Sequence, residues 1–147
     1  MTTDWIERLR VAKEAGDPSP LFDHVPYARF LGLSFELPAE GELVLRMRYA
    51  DHLIGDSALP ALHGGTIGAL LESAAIFTLM WSSEGERLPK TINLTIDYLR
   101  SGRATDTFAA ATITKHGRRV ANVRALARQS DRERPIASAD AHFLLAG

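Results

Sequence analysis

The longest apolar stretch of the chain runs from residue 62 to residue 81 and reads LHGGTIGALLESAAIFTLMW. It has no polar stripe at helical spacing, which indicates a helix surrounded by protein on nearly all sides. About 16 to 18 helical residues would extend roughly 25 Å. Glu72 is the one formally charged residue in this stretch. Because an unpaired buried carboxylate costs several kcal/mol, Glu72 is predicted to have either a hydrogen-bonding partner or a chemical task.

Two shorter helical patterns precede this stretch. The first spans residues 4–15, where Asp4 and Glu7 form a capping-box pattern. The second spans residues 21–31 and stops at Gly32, a residue type that favours the end of a helix.

The remaining patterns are extended. Leu43, Leu45 and Met47 recur at every second position, which predicts a strand with one buried face. Tight turns between the last three extended segments predict an antiparallel meander. Strands are expected near residues 33–37, 42–49, 91–100, 106–116, 119–129 and 135–145, with turns at 38–41 and 82–89 and a loop over 51–62.

One buried helix and five to six antiparallel strands predict an α+β fold in which a curled sheet wraps around the helix. A length of 147 residues, with 46% hydrophobic and 24% charged residues, fits one soluble domain with a single core. A sheet that wraps one helix leaves an edge and an outer face open. Dimerisation through the sheet is therefore expected.

Charge and composition exclude several classes of function. A formal net charge of -1 gives no reason to expect nucleic acid as a partner. The absence of cysteine excludes disulfides, thiolate nucleophiles and thiolate-bound metals. The N-terminus alternates charged and apolar residues, unlike a secretory signal, so a cytoplasmic location is expected. Polar residues interrupt the apolar stretch and no basic flank marks it, so no membrane span is predicted.

The tripeptide His63-Gly64-Gly65 stands where the long helix is predicted to begin. The first N–H groups of a helix lack partners within the helix and lie at the positive end of its dipole. Two glycines would let a carbonyl group approach the backbone closely, so the Gly64 amide is a candidate oxyanion donor. The alternative is a tight loop-to-helix turn in which His63 has only a structural role.

Glu72 lies nine residues after His63, about two and a half helical turns away. The two positions therefore cannot act on one carbonyl within a single chain, and a neighbouring subunit would have to supply one of them. The alternative is that Glu72 bonds to backbone amides or to an arginine at a loop or a subunit interface.

Other site patterns are weaker. The sequence has no G-x-S-x-G elbow, H-E-x-x-H motif or phosphate-binding glycine loop, and its five histidines lack metal-ligand spacing, so no cofactor or metal is expected. Asp97 shares a strand face with Asn93 and Thr95, which favours a solvated or interface position. Several arginines could contact phosphates or be solvated: Arg100, Arg103, Arg118 and Arg119. Large side chains late in the helix are interpreted as core rather than as an acyl pocket: Phe77, Leu79, Met80 and Trp81.

The order of these motifs resembles that of hotdog-fold acyl-CoA thioesterases, in particular the PaaI-like (phenylacetate-pathway) subgroup. The resemblance covers roughly residues 25–146. It rests on Leu31-Gly32-Leu33 ahead of a strand pair, HGG opening the apolar helix, an acid nine residues after the histidine, INLTIDYLR, the HGRRVANVRA hairpin and a last strand ending AHFLL. Residues 1–24 would then be a helical extension and residues 25–147 the hotdog domain.

The resemblance implies hydrolysis of an acyl-CoA thioester in a site between protomers, which form dimers with a continuous sheet and often pair into tetramers. Glu72 would act as general base or nucleophile, and the Gly64 amide would polarise the thioester carbonyl. His63 would order the loop. The substrate-binding candidates are Gly65, Ser57, Asp56 and Arg100.

Three positions differ from the pattern that many family members share. Ser57 stands six residues before the HGG histidine, where Asn or Gln is usual, and Pro60 replaces a usual glycine. Glu72 stands where many members have Asp. Two other functions stay open, a hotdog hydratase or dehydratase acting on an enoyl-CoA, and a hotdog protein that binds acyl-CoA without catalysis.

Overall fold

The computed structural model describes residues 2–36, 42–82 and 88–145, so the turn predicted at 38–41 and most of that predicted at 82–89 lie outside the described residues. The helices are α1 (Thr2–Ala15), a 3-10 helix (Ser19–His24), α2 (Pro26–Leu31), a 3-10 helix (Asp51–Leu53) and α3 (Gly64–Ser82). The strands are β1 (Leu33–Glu36), β2 (Val44–Met47), β3 (Ile54–Asp56), β4 (Ala61–Leu62), β5 (Lys90–Tyr98), β6 (Thr107–His116), β7 (Val120–Arg128) and β8 (Ala137–Leu144).

Six of these strands form one antiparallel sheet in the order β1-β2-β6-β7-β8-β5. The helix α3 packs against five of them, and its residues Leu70, Leu71 and Ala74 are fully buried in that contact. The predicted α+β arrangement and the meander of the last three strands are confirmed. β5 follows α3 in sequence but pairs with β8, so it forms one edge of the sheet.

The predicted loop over residues 51–62 is wrong in part. It contains a 3-10 turn and the two short strands β3 and β4, which pair with each other in a separate small sheet. Strands of three and two residues are too short to show a period-two pattern, so this segment carries no strand signal in the sequence.

The capping box predicted at the N-terminus is also wrong. Helix α1 begins at Thr2, so Asp4 lies inside the first turn and cannot cap it. Its carboxylate instead accepts a hydrogen bond from Arg8 one turn later, at 2.8 Å, and Glu7 pairs with Arg10. By contrast, Gly32 ends α2 in a left-handed conformation with φ 70°, as its glycine predicted.

Helix α3 is less enclosed within one protomer than its uniform apolarity predicted. Ten of its 19 residues are buried. Ala69, Glu72, Ser73 and Ile76 recur at helical spacing and are only half-buried. They form a stripe along one side of α3, and that stripe is available to a neighbouring molecule.

The large side chains near the end of α3 belong to the core, as expected. Phe77 packs edge-on against Phe22 and Phe35, with ring centroids 4.9 and 5.3 Å away. Leu79 and Met80 are buried as well. Because Phe22 precedes residue 25, the N-terminal segment contributes to the same core, and the division at residue 24 stays a prediction.

Among the described helices, α3 is long and apolar enough to meet the length and composition criteria for a membrane span. More than half of its most apolar window, 56%, is buried inside the fold, and the core helix of a soluble protein meets the same criteria. The expected cytoplasmic location stays a prediction.

Candidate active site

The β3–β4 hairpin and the loop after β5 hold the start of α3 in place. A side chain at Gly55 would put its Cβ 2.7 Å from the Cα of His63, so only glycine lets the hairpin approach this closely. The His63 N–H donates to the Leu53 carbonyl at 2.8 Å. The Leu62 N–H donates to the Gly102 carbonyl at 2.9 Å. Backbone hydrogen bonds to two different segments therefore hold Leu62 and His63 in place directly before α3 begins.

His63 caps the helix through its side chain. Its Nδ1 accepts a hydrogen bond from the Gly65 N–H at 2.9 Å, and its carbonyl accepts from the N–H and Oγ1 of Thr66. The Gly64 N–H has no hydrogen-bond partner within the described residues. The cap thus occupies the Gly65 amide and leaves the Gly64 amide available to a ligand. The Gly64 amide is the predicted oxyanion donor.

Tyr98, at the end of β5, contacts Gly64. Its hydroxyl donates to the Gly64 carbonyl at 2.8 Å, and its ring would lie 3.3 Å from a Cβ at that position. One turn later, a Cβ on Gly68 would meet Ile96 at 2.8 Å. Two glycines four residues apart thus let α3 pack closely on β5. No local signal in the sequence points to Tyr98, because its contact with Gly64 depends on the pairing of β5 beyond β8.

Glu72 lies half-buried on the α3 stripe and has one hydrogen-bond partner from β5. Thr91 Oγ1 donates to Glu72 Oε2 at 3.0 Å. The cost of burying a carboxylate predicted a hydrogen-bonding partner for Glu72, but nothing in the sequence pointed to Thr91 as that partner. The Thr91 hydroxyl holds Oε2 of the carboxylate, and Oε1 has no hydrogen-bond partner among the described residues.

A β-bulge places Thr91 on the correct face of β5. Thr91 pairs with Phe143 and Asn93 pairs with His142, so Ile92 is an extra residue in this strand. In a regular strand, Thr91 and Asn93 would point to the same outer face. The extra residue reverses this alternation, so Thr91 shares the inner face with the buried Phe143 and reaches α3.

Gly64 and Glu72 are eight residues apart on one straight helix, about 12 Å along its axis. A single thioester carbonyl cannot contact both from within one protomer. The separation expected from the sequence is therefore present in the structure.

The remaining candidates lie near the helix start, in two places. Asp56 Oδ1 accepts hydrogen bonds from the N–H groups of Ala58 and Leu59, at 2.9 and 3.4 Å, and so stabilises the turn between β3 and β4. Ser57 is exposed in that turn. Arg100 lines a cleft of about 380 Å³ together with Gly64 and Tyr98.

Two further features do not contribute to this site. A cleft of about 520 Å³ between β1, β2, β6 and β7 contains neither Gly64 nor Glu72 among its lining residues. Among the described residues, no group of three or more His, Asp or Glu side chains could hold a metal ion.

Comparison with known proteins identifies the family. Residues 59–136, just over half of the chain, match the model of the thioesterase superfamily, and this range includes the HGG turn, α3 and strands β5 to β7. The chain belongs to the thioesterase superfamily. This finding confirms the predicted family, the hotdog fold and the enzyme class.

Two relatives support the assignment over most of the chain. The medium/long-chain acyl-CoA thioesterase YigI of Salmonella typhimurium is 33% identical over 135 residues, which cover 83% of this thioesterase-family chain and 86% of the relative. A crystal structure of a Chromobacterium violaceum protein is 38% identical and superposes with a TM-score of 0.79, covering 96% of this chain and 98% of the other.

The fold is also that of a Ralstonia eutropha protein described as phenylacetic acid degradation-related. The two chains are 23% identical, with a TM-score of 0.72 and coverage of 82% and 89%. At this identity the likeness concerns the fold alone.

Proposed function

We propose that this protein hydrolyses acyl-CoA thioesters to a free acid and CoA. Glu72, as general base, takes a proton from water as the water oxygen attacks the carbonyl carbon. The Gly64 N–H stabilises the negative charge that develops on the carbonyl oxygen. The carbon–sulfur bond then breaks, and CoA leaves as its thiol with a proton returned from Glu72. The observation that carries the proposal is the free amide of Gly64 at the N-terminus of α3, preceded by the capping His63.

The hydrogen bond from Thr91 favours the role of base over that of nucleophile. It fixes one carboxylate oxygen on the side of α3 that faces β5 and leaves the other for a water molecule. Direct attack by Glu72 would instead form an acyl-glutamyl anhydride that water then hydrolyses, and this remains the second form of the proposal.

A second copy of the chain would complete the site. β5 is an edge strand, and Ile92, Tyr98 and Leu99 on or next to it are at least half exposed. An open strand edge with exposed apolar side chains is suited to pairing with another chain. Pairing β5 with β5 of a second protomer would bring each α3 stripe towards the partner. The proposed unit is this dimer, with further pairing of dimers into a tetramer.

Complementation between two inactive variants tests whether the site is shared. Glu72→Gln and Gly64→Pro each remove one half of the proposed machinery. A heterodimer of these two variants would contain one complete site, with Gly64 from one protomer and Glu72 from the other, and one doubly defective site. We expect purified heterodimers, co-expressed with two different tags, to recover about half of the wild-type turnover. Activity no higher than that of either variant alone would show that the site does not combine residues from two chains.

Thiol release from a panel of acyl-CoAs tests the proposed activity. Because the Salmonella relative is a medium/long-chain acyl-CoA thioesterase, medium and long acyl chains are the first choices, followed by short and aromatic acyl groups. Release of CoA thiol above the buffer rate supports hydrolysis. Binding of acyl-CoA without thiol release would indicate the non-catalytic alternative, and a change in enoyl absorbance without thiol release would indicate a hydratase.

Thr91 is proposed as a positioning residue for Glu72. We expect Thr91→Val, which keeps the shape but removes the hydroxyl, to lower kcat about tenfold with little change in KM, because a hydrogen bond to a charged group is lost. Thr91→Ser keeps the hydroxyl and should retain most of the wild-type kcat. Thr95→Val, on the outer face of the same strand, is the matched control. Equal losses for the Val and Ser variants would mean that packing of the methyl group matters rather than the hydrogen bond.

A further inference from the structure

We propose that Thr66 and Tyr98 are positioning residues for the oxyanion donor. Their hydroxyl groups hold the two peptide groups that meet at Gly64 and so orient the Gly64 N–H towards the thioester carbonyl. The inference rests on the proposed hydrolysis of acyl-CoA. It gives a role to two side chains that the roles of Glu72, Gly64 and His63 do not use.

Two peptide groups meet at Gly64, and each contributes one N–H and one carbonyl oxygen. In the first, the His63 carbonyl accepts from the Thr66 N–H at 3.0 Å and from Thr66 Oγ1 at 2.7 Å. In the second, the Gly64 carbonyl accepts from the Tyr98 hydroxyl at 2.8 Å. The Gly65 N–H of that second group donates to His63 Nδ1 at 2.9 Å. Of all these groups, only the Gly64 N–H has no partner among the described residues.

Thr66 acts on the same peptide group as the oxyanion donor. Threonine in a helix often bonds a carbonyl oxygen three or four residues back, and here that oxygen belongs to the peptide whose N–H is that of Gly64. Hydrogen bonds in a chain polarise one another, so a bond accepted at this oxygen makes the N–H a stronger donor. Thr66 is buried, so water has little access to its hydroxyl. The hydroxyl therefore both orients and strengthens the Gly64 N–H.

Tyr98 acts on the next peptide group from strand β5. It packs against two glycines of α3: a Cβ on Gly64 would lie 3.3 Å from the ring, and a Cβ on Gly68 would lie 3.5 Å from the hydroxyl. In this position the hydroxyl donates to the Gly64 carbonyl. Within an α-helix that carbonyl also accepts the N–H four residues later. The tyrosine bond is thus additional to those that form α3, and it fixes the first helical residue against β5.

Strand β5 therefore contacts both halves of the proposed machinery through hydroxyl groups. Thr91 near its start donates to Glu72, and Tyr98 at its end donates to the Gly64 carbonyl. The strand itself is paired with β8 along its length. The two bonds oppose a shift of α3 relative to β5, which would displace the donor and the base together.

The first test removes each hydroxyl with little change of shape and measures thiol release from the acyl-CoA that wild type hydrolyses fastest. We expect Thr66→Val and Tyr98→Phe each to lower kcat about tenfold, with a change in KM of about twofold or less, because the weakened bond forms in the transition state. Thr66→Ser keeps the hydroxyl and should retain most of the wild-type kcat. Thr112→Val and Tyr27→Phe change exposed residues elsewhere and are the matched controls.

Combination with Gly64→Pro separates positioning of the donor from a general structural effect. This variant has no N–H at position 64, so adding Thr66→Val or Tyr98→Phe should lower kcat by no more than about a further twofold. The full tenfold loss in the Gly64→Pro background would overturn the inference, because the hydroxyls would then act through another group. Wild-type kcat in the two single variants would overturn it as well.

The NMR signal of the Gly64 amide keeps this inference separate from the proposed activity. The signal is identified by its absence in Gly64→Pro, and isotope-labelled proteins are compared without substrate. We expect Thr66→Val to move the amide proton upfield, because the N–H is less polarised, and Thr112→Val to leave it in place. An unmoved signal in Thr66→Val would show that this hydroxyl does not act on the N–H. If wild type hydrolyses no thioester but the shift occurs, the proposed function fails while the positioning of the Gly64 N–H stands.

Discussion

Glu72→Gln is expected to lower kcat for acyl-CoA hydrolysis by about 100- to 10 000-fold, the usual contribution of a general acid–base group. Glutamine has the shape of glutamate and can still accept the hydrogen bond from Thr91, so the local structure should persist. It cannot take a proton from water. The measurement is the steady-state rate of thiol release on the acyl-CoA that wild type hydrolyses fastest.

The control for this variant is Glu14→Gln, which makes the same chemical change at an exposed position of helix α1 and should leave kcat unchanged. Size-exclusion chromatography checks that both variants keep the wild-type oligomeric state. A Glu72→Gln enzyme with wild-type kcat would contradict any role of this carboxylate as base or nucleophile. The hydrolysis would then need another group to activate water.

Gly64→Pro is expected to lower kcat by about 100- to 1000-fold, the effect of removing one oxyanion donor. Gly64 is the first residue of α3, a position where proline is well tolerated because the helix does not use that N–H. The substitution therefore removes the proposed donor without removing a backbone hydrogen bond of the fold. The measurement is again thiol release, with thermal unfolding of the same sample as a test of folding.

Gly64→Ala is the control that separates sterics from chemistry. Both substitutions place a Cβ about 3.3 Å from the ring of Tyr98, which that ring must accommodate, but alanine keeps the N–H. We expect the alanine variant to retain much more activity than the proline variant. Equal losses in the two would indicate that crowding against Tyr98, rather than loss of the donor, explains the effect.

The parts of the site that the sequence could predict are those with a local signal. A lone charge in an apolar helix made Glu72 a candidate, and a glycine pair at the start of that helix made Gly64 one; their roles stay predictions. Thr91 could not be found in this way, because its orientation depends on one extra residue at Ile92. A regular period-two reading of β5 would put its side chain on the wrong face.

Tyr98 was missed for the same physical reason, because its contact joins two segments that are distant in sequence. Tyr98 reaches Gly64 only because β5 pairs on the far side of β8, which the order of strands along the chain does not reveal. Asp4 failed as a cap for a local reason, since the helix starts two residues earlier than its capping pattern suggested.

The edge position of β5 has a consequence for when a newly made chain becomes active. The same strand offers its open side to a second copy and, through Thr91, holds the carboxylate of its own chain. In the shared site proposed above, a newly synthesised chain has no complete catalytic centre until it meets its partner. The turnover per chain would then rise with the concentration of the protein, because more chains would be paired. Unpaired chains would leave acyl-CoA unhydrolysed.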